Sequence, residues 1–447
     1  MSIQTHQFTN GFRIIYEKPT NPLSITAAYV FNTFGSVSEP DKLHGAAHLI
    51  EHMCFKGTKK IPLAKDIFEE YDKIGAEFNA FTTKEYTCYT MKCQDDYLHH
   101  SIDILSDMMI NSQFKKKEFI KEHNVVIEEN NNDVNNDEDL IFVALDRLLY
   151  NGTSFDRPVD ELAYHSKDNL NYDDVISLYH SYYQPHNMLI SIVSNISFDQ
   201  IKKMIQTTFF IKSHVNVSKC NVNNQLYINY QSIPQTDILY NIQHKPGITS
   251  SLITIGFRTC DRYSADKYTF EMLRQIIGVT MGGRLFTILR EKKALVYTAV
   301  VYTNYYKHAG DFIFFTKTES QNMIRVGKKL GVLPSIIQII NDLIRDGITQ
   351  EELTIAKGSI LGQSMINLES NITQTLYNGE ELLLGDNATK VVPYAKLYES
   401  YYKNITKQNI HDAIRKYFCK KNMCVCILGE KLPKNAVIHN VCEQIIQ

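Results

Sequence analysis

Five residues near the start of the chain, His48-Leu49-Ile50-Glu51-His52, form the clearest chemical pattern in it. On a helix, residues four apart lie on one face, so His48 and His52 can offer their imidazoles to one metal ion. Glu51, one turn after His48, can reach a water at that ion and act as a general base. With His at 15 of 447 residues, chance places only about 0.03 such pentapeptides in the chain. A catalytic metal site needs a third protein ligand and an open position. The stretch FIKEHNVVIEEN offers Glu122, Glu128 and Glu129 on an expected helix. Glu122 and Glu129 share a face, and Glu128 points roughly 100° away from Glu129. Spacing alone does not choose among the three.

These residues need elements to hold them. Hydrophobic periodicity predicts helices over 44–55, 65–74, 95–111, 117–130, 138–149, 172–183 and 198–209. Strands are expected at 11–17, 24–34, 77–82, 86–93 and 187–194. The strand EFNAFT (77–82) is a candidate edge to which an extended peptide could add through main-chain bonds. The Asn-rich run ENNNDVNNDED (129–139) reads as a solvated loop. Around 212–235 the periodicity fades, which sets a linker between a domain over 1–211 and a second over 236–447. Beyond it LITIGFRT (252–259) echoes TAAYVFNT (26–33), an offset of 226 residues. That offset puts His48 to His52 on Arg274 to Gly278, so the second copy would carry no such chemistry. Strands interrupted by several consecutive helices favour α+β over a regular βαβ winding.

Composition narrows the classes. The length, 447 residues, suits two to three domains. Lys+Arg 47 against Asp+Glu 49 argues against a strongly basic nucleic-acid binder. No run approaches the roughly eighteen apolar residues of a membrane span, and no signal or transit peptide is visible at the start. Nine cysteines at irregular spacing fit a cytoplasmic or other reducing compartment better than a disulfide framework. The one tight group, Cys419, Cys424 and Cys426, reads as a buried strand in which small thiols pack.

The order H-x-x-E-H reverses the usual H-E-x-x-H and marks the inverzincins. With the FKGT that follows, GAAHLIEHMCFKGT resembles the pitrilysin/insulinase family of zinc metallopeptidases, and above all its half-size members, the mitochondrial processing peptidases among them. The resemblance runs from about residue 8 to 430. In that family the third ligand is a Glu seventy-seven positions after the second His, which lands on Glu129. A family Glu seven residues earlier falls on Glu122, where it supports the site by hydrogen bonding. NAFTTKEYTCY (79–89) is similar to a family stretch that places Asn79 near the substrate backbone. RPVDE (157–161) and YYQPHNM (182–188) resemble two further family strings. GGRLFTILREKKALVY (282–297) resembles the second-half signature, whose Arg and Tyr, here Arg290 and Tyr297, grip the substrate. Seven apart, they share a helix face only if that region is helical throughout. Asp160-Glu161 and Ser194-Asn195 depart from the family pattern, in expected turns.

The resemblance implies two homologous α+β domains in tandem, each a largely antiparallel sheet packed with helices. It also implies Zn2+ on His48, His52 and Glu129, with Glu51 as the base. The activity it implies is hydrolysis of unfolded or extended peptides in a chamber formed by paired chains. A homodimer is the expected assembly, with a heterodimer containing an inactive sibling as the rival. The alternative is a non-catalytic structural or regulatory subunit. Such members of the family lose zinc ligands or the base, and His48, Glu51, His52, Glu122 and Glu129 all stand here.

Overall fold

The computed structural model describes residues 2–159, 170–212, 230, 233–385 and 391–446. Most of the expected 212–235 linker lies outside these residues, as do Asp160, Glu161 and Cys220. The chain gathers into two compact units. The first takes Met1–Asn132, Arg157–Ile228 and Ser364–Lys396; the second takes Asp133–Asp156, Asn229–Gln363 and Leu397–Gln447. Each half of the sequence thus lends a helical segment to the unit built mainly by the other half.

The first unit is built on strands β1 (Gln4–Gln7), β2 (Arg13–Glu17), β3 (Ile25–Asn32), β4 (Glu77–Thr82), β5 (Thr87–Gln94) and β6 (Met188–Val193). They lie in the order β1-β2-β6-β3-β5-β4, and only β2 and β6 run parallel. β4 is an edge strand, as expected for 77–82. Alternation sorts the side chains by face. Ala28 and Val30 pack toward helices α1 (Ala46–Cys54), α2 (Ala64–Asp72) and α3 (Leu98–Ile110), whereas Tyr29 and Phe31 meet Leu382, Leu383 and Leu384 on the other face. Buried on both faces, β6 reads MLISIV with no exposed residue.

The second unit holds β7 (Leu239–His244), β8 (Ser251–Arg258), β9 (Val296–Tyr305), β10 (Gly310–Thr318) and, after a short hairpin of β11 (Arg325–Val326) and β12 (Lys329–Leu330), β13 (Met423–Gly429). Their order is β7-β13-β8-β10-β9, with β7 and β13 the parallel pair. This order repeats that of β2-β6-β3-β5-β4 in the first sheet, where β1 is an additional edge strand. Cys424 and Cys426 are buried in β13, the strand reading of that cysteine group.

Two expectations need correction. The Asn-rich run is not a loop: α4 (Lys116–Asn135) runs through it, and only Asn136 breaks the helix before α5 (Asp137–Leu149). Asn costs a helix only about 0.5 kcal/mol relative to Ala. Burial of Glu122, Val126 and Asn130 at four-residue spacing holds that face down, and the Asn136 side chain caps α5 by accepting from the Glu138 N–H (3.0 Å). The fixed offset of 226 also fails. Counted from the matching hairpins, Thr82 opposite Thr87 and Tyr305 opposite Gly310, Val30 corresponds to Phe257 at an offset of 227. The helix Asp266–Arg274 starts only 220 residues after α1, because the loop leading to it is shorter. From that start, His48, Glu51 and His52 fall on Tyr268, Glu271 and Met272, so the second copy still has no imidazole pair.

Among the described residues, no helix is long and apolar enough to cross a membrane. The helix Asn371–Leu384 covers β3 and β6 with Gly379 in its interior, where a Cβ would run into the fully buried ring of Phe31. Glycine there allows the helix to lie close to the sheet despite its poor helix propensity. In an isolated helix Gly379→Ala would stabilise by about 1 kcal/mol. In this protein it should instead lower stability by about 1–3 kcal/mol through overpacking, read as a fall in the thermal midpoint. A raised midpoint would show that the contact relaxes freely.

Candidate metal centre and its surroundings

α1 presses Leu49, Ile50, Met53 and Cys54 into the core, all fully buried. His48 and His52 flank that stripe at the partly open edge of the helix. The helix begins at Gly45, which has a left-handed backbone (φ 83°) and no side-chain cap. The cap comes from Glu39, wholly buried, whose carboxylate accepts the N–H groups of Gly45 (3.0 Å) and Ala47 (2.7 Å). A negative group here also suits the positive end of the helix dipole. Burial raises the Glu39 carboxyl above its ordinary value, against the pull of His44 and the two backbone N–H groups. Arg157 of the RPVDE string sits against this cap, with Nη1 2.8 Å from His44 Nε2 and Nη2 2.9 Å from Asp41.

One turn of helix brings the two Nε2 atoms to 3.1 Å, with the rings nearly perpendicular at 84°. Glu129 Oε2 from α4 stands 3.9 Å from His48 Nε2 and 3.5 Å from His52 Nε2. Three donors about 2.0–2.2 Å from one tetrahedral ion would lie about 3.3–3.5 Å apart, so these spacings fit a shared metal to within a few tenths of an ångström. Among the described residues, His48, His52 and Glu129 are the one group of His, Cys, Asp or Glu whose ligand atoms come this close.

Glu122 lies behind His52, its Oε2 3.3 Å from Nδ1 and its Oε1 2.9 Å from Lys56 Nζ. A carboxylate that accepts a hydrogen bond from Nδ1–H holds the proton on that nitrogen and leaves the Nε2 lone pair for a metal. Burial alone would raise the Glu122 carboxyl, but the bonds from His52 and Lys56 outweigh it and hold it below its ordinary value. Glu128 and Glu129 are both exposed, and of the two it is Glu129 that comes within 4 Å of both imidazoles.

Glu51 is also buried, and its Oε2 accepts a 2.6 Å bond from Thr82 Oγ1 at the end of β4. Asn79 is exposed on the same strand, on the opposite sheet face from Thr82, and its Oδ1 takes the Ala80 N–H (2.9 Å). Arg290 and Tyr297 belong to the second unit. They do not share a helix face, because the helical stretch Phe286–Lys292 ends before β9, which carries Tyr297. The chain turn brings them together instead: the Arg290 guanidinium lies 4.9 Å from the Tyr297 ring and 4.8 Å from Phe286. Tyr297 is 81% exposed on an edge strand. In that unit Glu271, at the Glu51 position, is paired with Arg274 (3.1 Å) and accepts from Thr303 (2.7 Å).

Sequence reasoning passed over Glu39, Lys56 and Thr82. Lys56 stands four residues after His52 and Thr82 on the inward phase of β4, so periodicity could have found both. Glu39, in a loop ahead of the helix, gives no such signal.

Comparison with known proteins supplies the family. Residues 13–161 match the family model described as Insulinase (Peptidase family M16), and residues 169–360 match the Peptidase M16 inactive domain. The chain belongs to the M16 insulinase family. It is 30% identical to the uncharacterized zinc protease YmxG of Bacillus subtilis over 87% of this chain and 90% of that protein. The beta subunit of the mitochondrial-processing peptidase of Dictyostelium discoideum is 28% identical over 47% of this chain and 44% of its own length. The fold matches a protease from Helicobacter pylori with a TM-score of 0.85 at 18% identity, covering 96% of this chain and 99% of that one. As an M16 protein it has two tandem domains of mixed α/β structure.

The arrangement makes a prediction about metal retention. Glu129→Gln should lose added Zn2+ on dialysis, while Glu128→Gln holds it as the unaltered protein does. Glu122→Gln should fall between, with affinity reduced about 10- to 100-fold. Equal loss from the Glu128 and Glu129 variants would contradict the register of α4.

Proposed function

We propose that this M16 protein is a zinc-dependent metalloendopeptidase that hydrolyses unfolded or extended peptides. The observation that carries the reading is the convergence of two imidazoles and a carboxylate, with a buried glutamate one helical turn from the first imidazole. His48, His52 and Glu129 are a fitting set for zinc, which when bound supplies a Lewis acid and lowers the pKa of water to about 7. Glu51 takes a proton from the attacking water and delivers it to the leaving amine. Glu122, steadied by Lys56, keeps the His52 ring in its working tautomer. The open edge of β4 bonds the substrate main chain, and Asn79, Arg290 and Tyr297 add side-chain contacts. The rival reading, a non-catalytic subunit, is disfavoured because the first unit lacks none of the five residues that the chemistry uses. Free thiols at all eight described cysteines, seven of them buried, support work in a reducing compartment.

Glu51→Gln separates binding from chemistry. The variant should hold about one zinc per chain and lose peptide cleavage by several orders of magnitude. Near-normal turnover in that variant would show that another group is the base.

The proposed active form pairs two chains around a chamber, with Arg290 and Tyr297 of one serving the zinc site of the other. Closed two-fold dimers are the commonest soluble assemblies, which favours a homodimer over a pair with an inactive sibling. Mixing a Glu51→Gln chain with an Arg290→Ala, Tyr297→Ala chain, each inactive alone, should restore part of the activity. No recovery after proven subunit exchange, or full activity in a monomer, would count against the pairing.

A further inference from the structure

The bond between Thr82 and Glu51 has fixed supports on both sides. Thr82 faces Thr87 across the hairpin, with hydroxyls 3.4 Å apart, and Thr87 donates its own proton to the Phe34 carbonyl (2.8 Å). The Thr82 proton therefore goes to the Glu51 carboxylate at 2.6 Å. The turn after Thr82 closes through the Thr83 N–H and the Tyr86 carbonyl (2.8 Å). It is clamped by the N–H groups of Ser36 and Val37, which donate to the carbonyls of Thr83 (3.2 Å) and Lys84 (2.9 Å). Gly35 permits this approach, since a Cβ there would stand 2.5–2.6 Å from Tyr86 N and from the carbonyl oxygens of Thr83 and Lys84. The same strap, four residues on, supplies Glu39 to the start of α1. One short segment, 35–39, thus holds both the turn that carries Thr82 and the helix that carries Glu51.

We infer that Thr82 is a positioning residue for peptide hydrolysis: its hydroxyl holds Glu51 Oε2 and so sets the plane of the carboxylate. Thr82 ends the edge strand to which the substrate adds, so one backbone segment both aligns the peptide and orients the base. The inference rests on the reading of Glu51 as that base. The second unit shows why a test must separate positioning from packing. Its Thr303 makes a 2.7 Å bond to Glu271, whose charge Arg274 balances, in a unit with no imidazole pair at that position.

The test uses the full-length chain, a fluorogenic peptide and three variants. Thr82→Val keeps the shape and removes the donor; Thr82→Ser keeps the donor; Thr82→Ala serves where the valine does not fold. All three should bind zinc within about threefold of the unaltered affinity, because none touches a ligand. Thr82→Val should lower kcat about 10- to 100-fold, the weight of one hydrogen bond to a charged group, and leave KM within about twofold. Thr82→Ser should restore kcat to within about threefold. In a Glu51→Gln background, Thr82→Val should change the residual rate no further, because the group it acts through is already gone. Unaltered kcat in Thr82→Val, a serine variant as impaired as the valine, or losses that multiply in the Glu51→Gln background would each overturn the inference while leaving Glu51 as the base. Near-normal turnover in Glu51→Gln alone would overturn the base assignment, and this inference with it.

Discussion

Two imidazole nitrogens 3.1 Å apart on one helical turn are the constraint that the site is built around. Nitrogens that each present a lone pair at that distance repel unless a proton or a cation lies between them, so the surrounding chain must hold them there. The apolar stripe of α1 fixes the rotation of the helix. The buried Glu39 carboxylate fixes its start, at a glycine that has no capping side chain of its own. Glu122 fixes the ring of His52, and Glu129, two turns on along α4, brings the negative charge that a divalent ion would balance. These groups come from three stretches of the chain, the loop before α1, α1 itself and α4, and all converge on one turn of helix.

The same frame occurs twice with different content. Each sheet sets an early strand of its half parallel to the last one, β2 beside β6 and β7 beside β13, and each leaves a hairpin strand, β4 or β9, at an edge. In the first copy the edge strand lies beside the helix with the imidazoles. In the second, the corresponding helix carries Tyr268, Glu271 and Met272, and the neighbouring edge strand displays Tyr297 beside Arg290. The first copy thus carries the imidazole pair and the second the Arg290–Tyr297 contact on a shared frame.

Local pattern and long-range contact differ in how far the sequence exposes them. The β4 strand and the helix of His48, Glu51 and His52 are readable from period and spacing, because each is decided by its own alternation of apolar residues. The approach of Glu129, and not Glu128, to both imidazoles is not; it depends on where α4 lies against α1, and in the sequence only the family resemblance points to it. The run after Glu129 misleads because Asn is judged by its loop preference, while burial of Asn130 in register with Glu122 and Val126 carries the helix onward. Arg290 and Tyr297 mislead in the opposite sense: a seven-residue interval suggests one helix, but the chain changes from helix to strand between them. Glu39 lies beyond local reasoning, since its partners are set by loop closure, whereas the inward phase of Thr82 follows from the alternation of β4 and only its partner, Glu51, is set by the packing of strand on helix.

The most direct measurement is zinc K-edge X-ray absorption on the purified chain loaded with one equivalent of zinc. A site formed by His48, His52 and Glu129 should give about four nearest nitrogen and oxygen scatterers at roughly 2.0–2.2 Å, two of them with the outer-shell pattern of imidazole, and no sulfur near about 2.3 Å. His48→Ala should remove one imidazole signature, and Glu129→Gln should change the oxygen contribution. A sulfur shell from the cysteines, or a spectrum unaltered by both substitutions, would contradict the assignment of this helix turn as the metal site.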